Sequence, residues 1–138
     1  VGSVSNDAAA EQDANGWTLR FGEPLVTQLQ VDHRFALLLG GGALIVLESA
    51  FELSSGTDTA RVPPGDDASE VGEALRLLHA QVEEVRLEAS GQMKIDFNDD
   101  VAVMVPANPQ YENWQIVMPD GEQWIGTPGG GVTHFLGR

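Results

Sequence analysis

Two apolar runs of strand length, RFALLL (34–39) and ALIVLE (43–48), are separated only by Gly40-Gly41-Gly42, and they constrain this chain more than any other feature. Each run has the length of a strand rather than of a buried helix. Glycine supplies the positive φ that a tight turn between them requires. The pattern returns later: QMKIDF (92–97) and VAVMVP (101–106) flank Asn98-Asp99-Asp100. LVTQLQV (25–31) precedes the first pair and EVRLEA (84–89) the second. AFELSS (50–55) follows the first pair and YENWQIVM (111–118) the second. EQWIGT (122–127) and VTHFL (132–136) close the chain, with Pro119-Asp120-Gly121 as the turn between 118 and 122. Two similar halves are the result, each a hairpin with a strand on either side. Val26, Leu29 and Val31 match Val82, Val85 and Leu87, and Glu112 falls where Glu52 falls.

Between the halves, SGTDTARVPPGDD (55–67) reads as a loop from its Gly, Pro and Asp content. Beyond it, Val71, Ala74, Leu75, Leu78 and Val82 recur at helical spacing. They predict one helix over about 67–82, with Asp67 and Glu70 at a capping-box spacing. The expected fold is therefore α+β: mostly antiparallel β, two pseudo-repeated meanders forming a sandwich or open barrel, with one covering helix. Two copies are too few for a solenoid. With 138 residues the chain fits a single domain. Residues 1–15 read as a flexible polar lead-in without the basic and apolar regions of a signal peptide, and 16–138 as one β-rich domain.

Asp and Glu number 21 against 7 Lys and Arg, for a formal net charge of −14. Such a balance opposes binding to nucleic acid and to anionic membranes; it serves solubility, and it also suits a surface shaped for a basic protein partner. No apolar run is long enough to span a bilayer. The chain has no cysteine, which excludes disulfides and fits a cytoplasmic location.

Chemical motifs are sparse. His33, His79 and His134 lie on separate elements without metal-ligand spacing, and no metal or cofactor is implied. DFNDD (96–100) lacks the spacing of a calcium loop and reads as a hairpin turn. The glycine runs at 40–42 and 129–131 are neither a P-loop nor a dinucleotide fingerprint, and no nucleophile elbow is present. Aromatic residues carry more information. Trp114 and Trp124 flank the 119–121 turn, with Tyr111 and Glu112 just upstream and Trp17 elsewhere. In a regular strand Glu112 shares a face with Trp114, Ile116 and Met118. Arg20, Arg34, Arg86 and Lys94 are its candidate partners.

The segments FELSSG, MKIDFNDD, YENW and PGGG, in this order over about 17–136, resemble a family of small actinobacterial domains of unknown function. That resemblance implies a compact β-rich domain, some of whose relatives look immunity-like. FNDD here replaces the more usual Asp-Gly turn. The leading expectation is a non-catalytic, acidic protein-interaction domain, immunity-like in binding a basic protein. Its expected contacts are Tyr111, Glu112, Trp114, Trp124, Asp99 and Asp100. Two alternatives are a small-ligand or enzymatic pocket between the meanders and a homodimer paired through sheet edges.

Overall fold

A computed structural model describes residues 8–63 and 68–137 of the chain. Its strands are β1 (Ala8–Asp13), β2 (Gly16–Phe21), β3 (Val26–Val31), β4 (Phe35–Leu39), β5 (Leu44–Leu47), β6 (Phe51–Ser55) and β7 (Asp58–Val62). A 3₁₀ helix (Ala68–Leu77) follows. Then come β8 (Val82–Glu88), β9 (Met93–Phe97), β10 (Val101–Val105), β11 (Trp114–Val117), β12 (Gln123–Gly126) and β13 (Val132–Phe135). They form two antiparallel sheets. The larger runs β1-β2-β8-β9-β10-β6-β7 and the smaller β13-β12-β11-β5-β4-β3. Among the described residues the expected β-rich α+β fold with a single helix is what forms, as two sheets rather than a closed barrel.

The two halves are equivalent strand for strand. β3-β4-β5 is a meander in one sheet and β8-β9-β10 a meander in the other. In each half the next strand crosses over: β6 pairs with β10, and β11 pairs with β5. The match extends to irregularities. A bulge falls between Val26 and Gln28 in β3 and between Val82 and Glu84 in β8. At the approximate two-fold axis, Leu25 bridges Gln81. There the Val26 N–H donates to the Ala80 carbonyl (2.8 Å) and the Val82 N–H to the Pro24 carbonyl (3.0 Å). The Gly42 position of the first hairpin is taken by Asp100 in the second, and both have positive φ (97° and 59°).

The same register corrects one expected match. Leu47 pairs with Trp114, and Met104 with Glu52, so Phe51 is equivalent to Trp114 and Glu52 to Gln115. Glu112 has no counterpart on β6. It lies in the connection 106–113, which is longer than the corresponding 48–50, and not on a strand at all.

Interior side chains come from alternate positions, as pleating requires. Phe35, Leu37 and Leu39 face Ile45 and Leu47 in one sheet, and Met93, Ile95 and Phe97 face Val103 and Val105 in the other. Burying each such side chain contributes about 1.5–3 kcal/mol. The helix lies against β7 and β3. It buries Val71, Ala74 and Leu77, a spacing of three. The helix expected over 67–82 is therefore shorter, and wound more tightly than an α-helix. A three-residue repeat suits 3₁₀ geometry, and it leaves Leu75 and Leu78 exposed. His79, at φ 70°, turns the chain out of the helix, and Val82 already belongs to β8.

Two further segments differ from expectation. Residues 58–62 form an edge strand within the stretch read as a loop, because Gly56, at φ 61°, closes a hairpin back onto β6. Within the polar lead-in, Ala8–Asp13 pairs along β2. Residues 1–7 of that lead-in, and 64–67 with their proposed cap, lie outside the described residues.

Candidate functional site

The loop 106–113 sits at one end of the sandwich, and its conformation is held from within. The Asn108 carboxamide oxygen accepts the N–H groups of Gln110 (2.9 Å) and Tyr111 (3.0 Å). The buried Asn113 side chain donates to the carbonyls of Pro106 (2.6 Å) and Gly91 (3.0 Å). Trp114 Nε1 donates to the same Gly91 carbonyl at 2.8 Å. Gly91, with φ 99°, lies so close to Gly130 and Gly131 that a Cβ would meet the Gly131 nitrogen at 3.1 Å. The Gly129 N–H donates to the Asn108 carbonyl (3.0 Å). A Cβ on Gly126 would stand 2.0 Å from Asn113 Oδ1. The YENW and PGGG segments thus meet at one place, around the Ser90-Gly91 turn. Half of YENW is a structural latch, and the other half, Tyr111 and Glu112, stands outside it.

Tyr111 is 67% exposed. The Glu48 N–H donates to the Asn113 carbonyl (3.0 Å), which brings β5's end beside the loop. Burial pushes the Glu48 carboxyl above its ordinary range. The Glu112 charge pushes it further, while Arg34 and His33 partly offset both. An exposed phenol, two mutually repelling carboxylates and the Asp32–Arg34 loop therefore share this end. Glu48 was not among the expected contacts. It directly follows an apolar strand run, and only the fold places it beside Glu112.

The other expected contacts are dispersed. Trp114 and Trp124 are fully buried, so neither is available as a surface anchor. Both point inward because their alternate positions on β11 and β12 face the core. Asp99 and Asp100 are exposed, but they lie at the opposite end of β10 from the 106–113 loop. Of the cations weighed as partners of Glu112, Arg20 pairs with Glu84 (2.6 Å), Arg86 with Asp13 (2.9 Å) and Lys94 with Asp96 (3.6 Å). Arg34 faces Glu48.

A second convergence joins distant segments. His134 Nε2 lies 2.9 Å from Glu122 Oε2. The His134 ring stacks on Trp124 (4.8 Å, 16°) and approaches Trp17 at 4.7 Å. Since Trp17 is on β2 and the others on β12 and β13, this cluster ties the two sheets together. Among the described residues no group of three or more His, Asp or Glu is placed to hold a metal ion, and no helix is long and apolar enough to cross a membrane. Surface clefts are open and polar; one is lined by Glu83, Lys94, Asp96 and Asp100.

The molecule is thus a two-sheet β domain of duplicated architecture with an acidic, loop-built end. Residues 17–135 match a family of unknown function (DUF6188), and the chain belongs to that family. No curated protein and no solved structure matches it.

Proposed function

We propose that the chain is a non-catalytic interaction domain that captures a basic protein partner at its Tyr111 end, in the manner of an immunity-like inhibitor. The observation that carries this reading is Tyr111 itself, exposed on a loop already pinned by Asn108 and Asn113 and followed by Glu112, whose charge reaches Glu48. A preordered aromatic loses little entropy on binding and suits an interface anchor. Its ring face and the neighbouring carboxylates suit an Arg- or Lys-rich surface. Charge supports the same reading. Arg20, Arg76, Arg86 and Lys94 are engaged by carboxylates of the chain itself, on a chain whose net charge is −14. A cytoplasmic setting and an actinobacterial source fit this proposal.

The test is affinity capture on the full chain at low and moderate salt, with the captured basic protein then purified and titrated calorimetrically. Tyr111→Ala should weaken binding by about 2 kcal/mol or more, as at an interface hot spot. Glu112→Gln should lower the association rate and flatten its salt dependence. Capture indifferent to salt and to both substitutions, in folded variants, would sink the proposal.

A further inference from the structure

The two sheets carry equivalent positions on their outer faces, so each is a control for the other. On the larger sheet six of those positions are charged, Glu84, Arg86, Lys94, Asp96, Glu52 and Arg61, while Ala102, Met104 and Ser54 are not. The counterparts of the charged six on the smaller sheet are Gln28, Gln30, Ala36, Leu38, Gln115 and Ile125. The remaining outward positions of its inner strands, Leu44, Val46 and Val117, are apolar too. Ala36 and Val46 are 5% and 4% exposed without belonging to the interior cluster. Leu38, Leu44, Val117 and Ile125 are half-buried, and Phe135 on β13 is 48% exposed. No outward-facing position on these six strands bears a formal charge, on a chain whose net charge is −14.

We propose that this outer face is a homodimer interface, packed face to face on the same sheet of a second copy of the chain. Charge selects that occupant. A cationic partner finds no counter-charge here, whereas a second copy presents an equally uncharged face and keeps the carboxylates of both chains at the rim. An isologous contact requires one surface to complement itself. Apolar side chains do so by packing, and Gln28, Gln30 and Gln115 by reciprocal amide hydrogen bonds across the two-fold. Area is consistent with this. Six strands about 4.8 Å apart and four to six residues long, at roughly 3.3 Å per residue, make a face of about 450 Å². Two copies then cover about 900 Å² in flat projection, the scale of a weak, concentration-dependent dimer, since stable interfaces bury about 1,200–2,000 Å². Sheet-on-sheet packing at about 10 Å is the geometry already used inside the domain.

Sedimentation equilibrium of the full chain, from low to high micromolar concentration, tests the proposal. The expected species is a dimer. Leu38→Asp and Ile125→Arg install charges of the kind that Asp96 and Arg61 supply at the equivalent positions of the other sheet. Each should raise the dissociation constant by at least about tenfold. Asp96→Asn on the other face should leave it unchanged. A chain that is monomeric throughout the range would overturn the proposal without recourse to any variant. So would a dimer that persists in both variants while they keep the parent's urea midpoint. Tyr111 belongs to the 106–113 loop and to none of these six strands, so failure here leaves partner capture at the loop end standing, and the reverse also holds.

Discussion

Asn113 and Glu112 are neighbours in sequence with opposite roles, and stability measurements should separate them. Asn113→Ala removes donors to the carbonyls of Pro106 and Gly91 inside the fold. It should cost about 1–3 kcal/mol, as the loss of buried hydrogen bonds does. Gly126→Ala would drive a Cβ against Asn113 Oδ1 and, at 2.7 Å, against Trp114 Nε1. Overpacking of that kind should cost a further ~1–3 kcal/mol in its own right. Tyr111→Ala, by contrast, should stay within about 0.5 kcal/mol of the parent in urea unfolding. Equal losses at all three positions would mean that the loop is no latch. Glu48 makes a pH prediction of definite sign. Its carboxyl is pushed above 4.5 by burial, then by Glu112. The folded state therefore holds the proton more tightly than the unfolded chain, and stability falls as pH rises through the window just above 4.5. Glu48→Gln should be more stable than the parent at neutral pH, with the gap closing below that window. Urea midpoints measured across pH would refute this if the gap were constant or reversed.

At the scale of elements, the pattern of apolar runs revealed the meanders, the turns and even the duplication, because alternation and glycine placement are local properties. What it concealed was set by tertiary packing. The helical spacing of Val71, Ala74, Leu75 and Leu78 fits a 3.6-residue turn as well as a 3.0-residue turn on its first two members. Only burial of Leu77 and exposure of Leu75 decide between them. Residues 58–62 carry turn-forming neighbours and one covered side, so as an edge strand they gave little signal. YENWQIVM reads as one continuous strand that includes Glu112, whereas the latch at Asn113 that ends the loop needs Gly91 and Pro106 from elsewhere. The exchange of β6 and β11 was also invisible to local pattern, and it has a consequence for folding. Each sheet contains strands from both halves, so neither half has a complete sheet of its own. A chain divided after Pro63 should give two fragments that lack cooperative unfolding alone and recover it, with circular dichroism near that of the intact chain, when mixed one to one. A fragment that unfolds cooperatively by itself would refute the exchange.

For the whole molecule, charge is unevenly used: one outer sheet face carries the ion pairs Arg20–Glu84, Arg86–Asp13 and Lys94–Asp96, the strands of the other present no charge outward, and carboxylates dominate elsewhere. Salt should therefore act on the two proposed contacts in opposite directions. Bringing together two chains that each carry −14 is opposed by long-range repulsion. Raising ionic strength shortens the screening length from about 10 Å at 0.1 M to about 3 Å at 1 M and removes that opposition. Apolar burial at the sheet face survives it, so the dimer dissociation constant should fall as sodium chloride is added. Capture of a basic partner at Tyr111 and Glu112 draws on attraction across the same distances, and it should weaken over the same range. Measuring both equilibria on one preparation across a single salt series makes the prediction compact: the two curves cross in slope. If dimerisation weakened with salt, ion pairs would have to cross the interface, and the uncharged sheet face could not be where the copies meet. If capture strengthened with salt, the partner would be held by apolar contact, and the acidic end would be a source of solubility rather than of recognition.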